Sequence, residues 1–95
     1  MRKVPGELYG DKLLNAVYAH MRSYPATGFV ARDLARALGT RNPDGGGQIR
    51  VRMQLARLAA AGDIGSRTEP RADGSSRTCE RWYLSSVLAA GLVSA

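Results

Sequence analysis

Between Gln48 and Ala61 the chain carries Arg50, Arg52 and Arg57 and no acidic residue, with Gln48, Met53 and Gln54 among them. These side-chain types share a chemistry. A guanidinium is a planar fork that pairs bidentately with phosphate oxygens or with the guanine edge. A carboxamide pairs likewise with adenine, and Met or Ile packs against a thymine methyl. Further donors flank the segment, Arg41 before it and Arg67, Arg71 and Arg77 beyond it. Bond-making chemistry has less support. His20 is the only histidine and Cys79 the only cysteine, so there is neither an intramolecular disulfide nor a cluster at metal-ligand spacing. Asp33, Asp44 and Asp63 fall at expected helix ends or turns, where capping accounts for them. No cofactor, catalytic or metal-ligating set emerges.

The elements that must hold these arginines follow from periodicity. Leu13, Leu14, Val17, Tyr18 and Met21 recur at three- and four-residue steps and predict an amphipathic helix over 11–23, capped by Asp11 and stopped before Tyr24-Pro25. Ala26 to Val30 reads as a turn with a stub of extended chain. A second helix is expected over 31–38, with Leu34, Ala35 and Leu38 inward and Gly39 at its end. Thr40 to Gly47 holds only turn formers and reads as a mobile glycine loop. A third helix follows from about Gln48 to Ala61, ended by Gly62, with Val51, Leu55 and Leu58 inward. At about 100° per residue this phasing puts Arg50, Met53, Gln54 and Arg57 on one outer flank and Ile49, Arg52 and Ala56 on the other. Ile64–Glu69 and Arg77–Leu84 pair as a hairpin around a polar tip, with Trp82 read as packing. The apolar tail after Ser85 reads as a last helix or a dimer contact.

With 95 residues, 44% of them hydrophobic, the chain makes one small domain and leaves no space for a second catalytic one. Its division is an arm over 1–10, a domain over 11–84 and a tail over 85–95. The balance of fourteen basic against eight acidic residues, twelve of the fourteen being Arg, gives a net charge of +6 and implies a polyanionic partner. No apolar run approaches the roughly 20 residues of a membrane span, and the expected location is cytoplasmic.

Three strings carry a family resemblance. Ala31-Arg32-Asp33-Leu34-Ala35-Arg36-Ala37-Leu38-Gly39 resembles the second helix of winged helix-turn-helix domains. The run from Val51 through Leu58-Ala59-Ala60-Ala61-Gly62-Asp63-Ile64 resembles their recognition helix and its exit, and Arg81-Trp82-Tyr83-Leu84 is similar to their closing wing strand. The likeness spans roughly residues 10 to 84 and departs at the turn before the third helix, which is longer and richer in glycine.

The resemblance implies a mainly α fold of three helices plus a wing. It also implies a non-enzymatic, sequence-specific binder of double-stranded DNA acting as a small transcriptional regulator. Helix three reads the major groove, and the wing near 67–77 grips the backbone. The expected contact set is Arg41, Gln48, Arg50, Arg52, Met53, Gln54, Arg57, Arg67, Arg71 and Arg77. A homodimer through the first helix and Val87–Val93 is a further expectation, and no small-molecule effector is evident. Competing readings are a winged-helix adaptor or inhibitor that meets an acidic protein surface, an RNA binder, and a plain surface helix whose arginines only confer solubility.

Overall fold

A computed structural model of the protein describes residues 8–71, 74 and 76–91. Among these the element order is α1 (Gly10–Ser23), α2 (Ala31–Ala37), α3 (Gly46–Ala60), β1 (Ile64–Pro70), β2 (Thr78–Leu84) and α4 (Ser85–Ala89). The result is a mainly α domain with one small antiparallel hairpin.

Helix α1 forms because Leu13, Val17 and Met21 repeat every four residues and are all buried. It ends where expected, at the residue before Tyr24-Pro25. Asp11 does not cap it. The N-cap is Tyr9, and Asp11 lies within the first turn, where its charge still suits the helix dipole. Helix α2 buries Ala31, Leu34 and Ala35, and Gly39 closes it at φ 67°, a left-handed conformation that glycine adopts without strain.

The glycine run is more structured than a mobile loop. Gly46 and Gly47 already belong to α3. The turn before them is tied by Thr40, whose hydroxyl donates to the Ala35 carbonyl at 2.8 Å, and by Asn42, whose carbonyl accepts from the Gly45 and Gly47 amides at 3.0 and 2.9 Å. Asn42 sits at φ 56°, a region its short polar side chain tolerates. Asp44 adds ion pairs to Arg36 at 3.3 Å and to Arg32 at 3.8 Å. Gly47 is buried, and the position needs glycine because a Cβ there would fall 2.5 Å from the Arg41 carbonyl oxygen.

The hairpin pairs Ile64 with Leu84 through Pro70 with Thr78. The expected extended stub is present. Phe29 forms an antiparallel bridge to Trp82, with amide-to-carbonyl distances of 3.0 and 2.8 Å, and so fastens the α1–α2 connection to β2. The pleat sets Trp82 on one hairpin face with Ser66 and Glu80, and Arg81 and Tyr83 on the other with Arg67 and Glu69. Tyr83 is buried where Gly28, lacking a side chain, leaves room for its ring, and its hydroxyl donates to Glu69.

Leu13, Val17, Met21, Leu34, Val51 and Leu55 are fully buried and form the core centre, with α1 and α2 both packed on α3. In α4, Val87 is buried in the same core, so it serves folding and is not available as the dimer contact expected of it. The Ser85 hydroxyl anchors this helix to the Gly62 carbonyl at 2.7 Å. Residues 1–7 of the expected arm, Ala72, Asp73 and Ser75 of the expected tip segment, and the tail from 92 onward lie outside the described residues.

Candidate nucleic-acid interface

The inward arc of α3 consists of Gly47, Val51, Gln54, Leu55 and Leu58. At about 100° per residue the row facing directly away from that arc is Ile49, Met53, Ala56 and Ala60, all exposed. Ile49 and Met53 are the large members, 63% and 59% exposed.

This phasing corrects one expected contact residue. Gln54 is only 4% exposed and cannot reach a base edge, because three- and four-residue steps from Val51 and Leu58 place it inside the buried arc. Its side-chain oxygen is satisfied by Arg57 Nη1 at 2.9 Å, which is what makes a buried amide tolerable.

The two sides of the outward row differ. On the side facing α1, Arg57 pairs with Asp11 at 2.8 Å. Arg50 is half-buried, with Nη2 donating to the Arg41 carbonyl at 3.3 Å and its guanidinium centre 5.0 Å from the Tyr9 ring. Both guanidiniums are therefore engaged by the protein itself. The pair with Asp11 is exposed and worth at most about 1 kcal/mol, yet it removes one positive charge from the outer surface.

The side facing α2 and the hairpin is open. There Arg52 and Gln48 line a cleft of about 380 Å³ together with Arg32 at the start of α2, Arg71 at the end of β1, and Thr78, Cys79, Glu80 and Trp82. Among the described residues Arg52 and Arg71 make no ion pair. Arg32 reaches Asp44 only at 3.8 Å with both side chains about half exposed, a contact easily exchanged for another anion. A row of guanidiniums with an amide donor between them, open to solvent along a groove, can bind closely spaced anionic groups.

The remaining expected residues scatter. Arg41 is exposed at the turn before α3, and its backbone oxygen takes Arg50. Arg77 is exposed across the hairpin tip from Arg71, whose amide donates to its carbonyl at 3.1 Å. Arg67 lies on the hairpin face opposite Trp82, beside Glu69 and Arg81, and does not join the cleft. Thus Gln48, Arg52 and Arg71 come together at the cleft, Met53 is exposed on the outward row, and Arg50, Arg57 and Arg67 are drawn elsewhere.

Two participants escaped the sequence reading. Arg32 lies outside the expected contact set, and Trp82, expected as packing, also forms a cleft wall. The Phe29 stub was their signal, since an extended segment just before α2 must pair with a strand and so brings the start of α2 to the hairpin. No family model, curated protein or solved structure matches this chain.

Proposed function

We propose that the protein is a winged helix-turn-helix domain that binds double-stranded DNA without catalysis and acts as a small transcriptional regulator. Helix α3 enters the major groove by its outward row, and the hairpin serves as the wing. One observation carries the reading. Arg32, Arg52 and Arg71, from three separate elements, line one open cleft alongside the only broad exposed face of α3 among the described residues. A DNA strand running along that cleft puts its phosphates against the guanidiniums while base edges face Ile49 and Met53. The net charge of +6 draws the protein to such a partner over distance.

The test is titration against a random-sequence duplex at low and moderate salt. Each phosphate neutralised contributes about −0.9 to the log–log slope of affinity on salt, so three cleft arginines give about −2.7. Absence of duplex binding at low salt overturns the proposal. The exposed Ile49 and Met53 also suit an acidic protein surface with an apolar centre, the adaptor reading, and that outcome of the titration would favour it.

A further inference from the structure

The row that α3 turns outward offers a base edge almost no hydrogen-bonding capacity. Ile49, Met53, Ala56 and Ala60 supply neither donor nor acceptor, and the donors flanking the row are directed elsewhere: Gln48 and Arg52 line the cleft, Arg57 pairs with Asp11, and Arg50 donates to the Arg41 carbonyl. In the major groove the four bases differ mainly in donors and acceptors, and the C5 methyl of thymine is the one apolar group displayed. An apolar row therefore has a single favourable match there.

Resting on the DNA-binding reading, we propose that this protein selects its duplex by thymine methyl groups, with Ile49 and Met53 each covering one. The geometry suits two such contacts. The residues are four apart, about 6 Å along the helix axis, which spans about two base-pair steps at 3.4 Å each. Ala56 and Ala60, further along the same row, have no bulk to hold the helix away from the groove floor. The flexible thioether of Met53 adjusts to a methyl whose position depends on groove width. Neither Ile49 nor Met53 belongs to the core cluster, so their exposure serves nothing in the fold. The surrounding charge fits the same occupant, because Arg32, Arg52 and Arg71 line the adjacent cleft where a phosphate strand passes.

The experiment begins with selection of bound sequences from a random duplex pool. The best duplex is then synthesised with deoxyuridine in place of each thymine, a change that deletes the methyl and keeps every hydrogen-bonding group. Covering one methyl corresponds to about fourfold in affinity, so the all-uracil duplex binds about fifteenfold more weakly if two are covered. Ile49→Ala and Met53→Ala, at exposed positions that leave folding intact by circular dichroism, each abolish sensitivity at one thymine while retaining the salt dependence of binding. A tightly bound duplex indifferent to uracil overturns the methyl readout and leaves DNA binding standing. Failure of every duplex to bind at low salt removes both. Uracil sensitivity that persists unchanged in both alanine variants overturns the assignment to these two residues.

Discussion

Gly47→Ala is the substitution for which helix propensity and packing give opposite signs. Position 47 lies in the first turn of α3, where exchanging Gly for Ala gains at most about 1 kcal/mol from reduced unfolded-state entropy. Against that, the new Cβ falls 2.5 Å from the Arg41 carbonyl oxygen, 2.6 Å from Thr40 Oγ1 and 3.0 Å from the Asn42 carbonyl oxygen. None of these gives way cheaply. Two are backbone atoms, one of them holding Arg50, and the Thr40 hydroxyl is committed to Ala35. Overpacking of this kind costs about 1–3 kcal/mol, so the net result is a loss of about 1–2 kcal/mol. For a domain of this size each 1 kcal/mol lowers the Tm by about 4–8 °C. Gly46→Ala is the control. Its Cβ meets only the end of the Arg50 side chain at 3.5 Å, so this variant is as stable as the parent or slightly more so. Thermal and urea unfolding of the two variants give the comparison. A Gly47→Ala protein as stable as the parent would show that the glycine run is merely a flexible spacer, and that the turn does not seat the start of α3.

Arg52→Ala lowers the salt slope of duplex binding by about 0.9 and leaves the Tm nearly unchanged, whereas Arg57→Ala leaves the slope intact because its guanidinium already faces Asp11; equal slopes for both variants in parallel salt titrations would contradict the two-sided helix. Gln54→Ala, which empties a buried position, costs about 1–3 kcal/mol in urea unfolding, and an unaffected protein would mean that position 54 is not in the core. The Tyr83 phenol is pushed above its ordinary 10.0, first by burial and then by its hydrogen bond to Glu69. The folded state therefore holds that proton more tightly than the unfolded chain. The corresponding stability is fully present below about pH 10 and is lost as the pH rises through the folded-state value. Tyr83→Phe lowers stability by about 1 kcal/mol at neutral pH and flattens the alkaline limb of the stability profile, which denaturation between pH 8 and about 11 measures; an unchanged limb would mean that Tyr83 is not the group responsible.

What could be read from the sequence, and what could not, divides along the range of the interactions. The stripe Leu13, Val17, Met21, the stop before Tyr24-Pro25 and the left-handed Gly39 and Gly62 are all local in cause, and each lies where the periodicity and turn chemistry of its neighbours predict. The hairpin and the extended stub near Phe29 were legible for the same reason, but the bridge of that stub to Trp82 joins residues 53 apart and was not. The engagement of Arg57 by Asp11 was not, because it joins residues 46 apart through the packing of α1 on α3, which no local pattern encodes. Gln54 is the instructive case. Its spacing of three from Val51 and four to Leu58 already marked it as inward, and only its polarity argued otherwise.

That reversal has a consequence for the surface. With Gln54 inward, the core of α3 closes around an amide held by Arg57, and Ile49, the more hydrophobic residue, is left outside. Stability alone favours the opposite exchange, since burying a branched aliphatic side chain gains about 1.5–3 kcal/mol and burying an amide gains nothing until it finds a partner. A fold that takes up Gln54 and turns out Ile49 and Met53 carries on its surface an apolar row that has no role in folding. The same arrangement pairs Arg57 with Asp11, occupies Arg50 with the Tyr9 ring and the Arg41 carbonyl, and leaves Arg52 facing the cleft, so the guanidiniums of one edge are engaged by the protein and that of the other is open. On the proposed DNA-binding reading, a duplex approaches from the hairpin side, with its phosphates meeting Arg32, Arg52 and Arg71 as its base edges meet the apolar row.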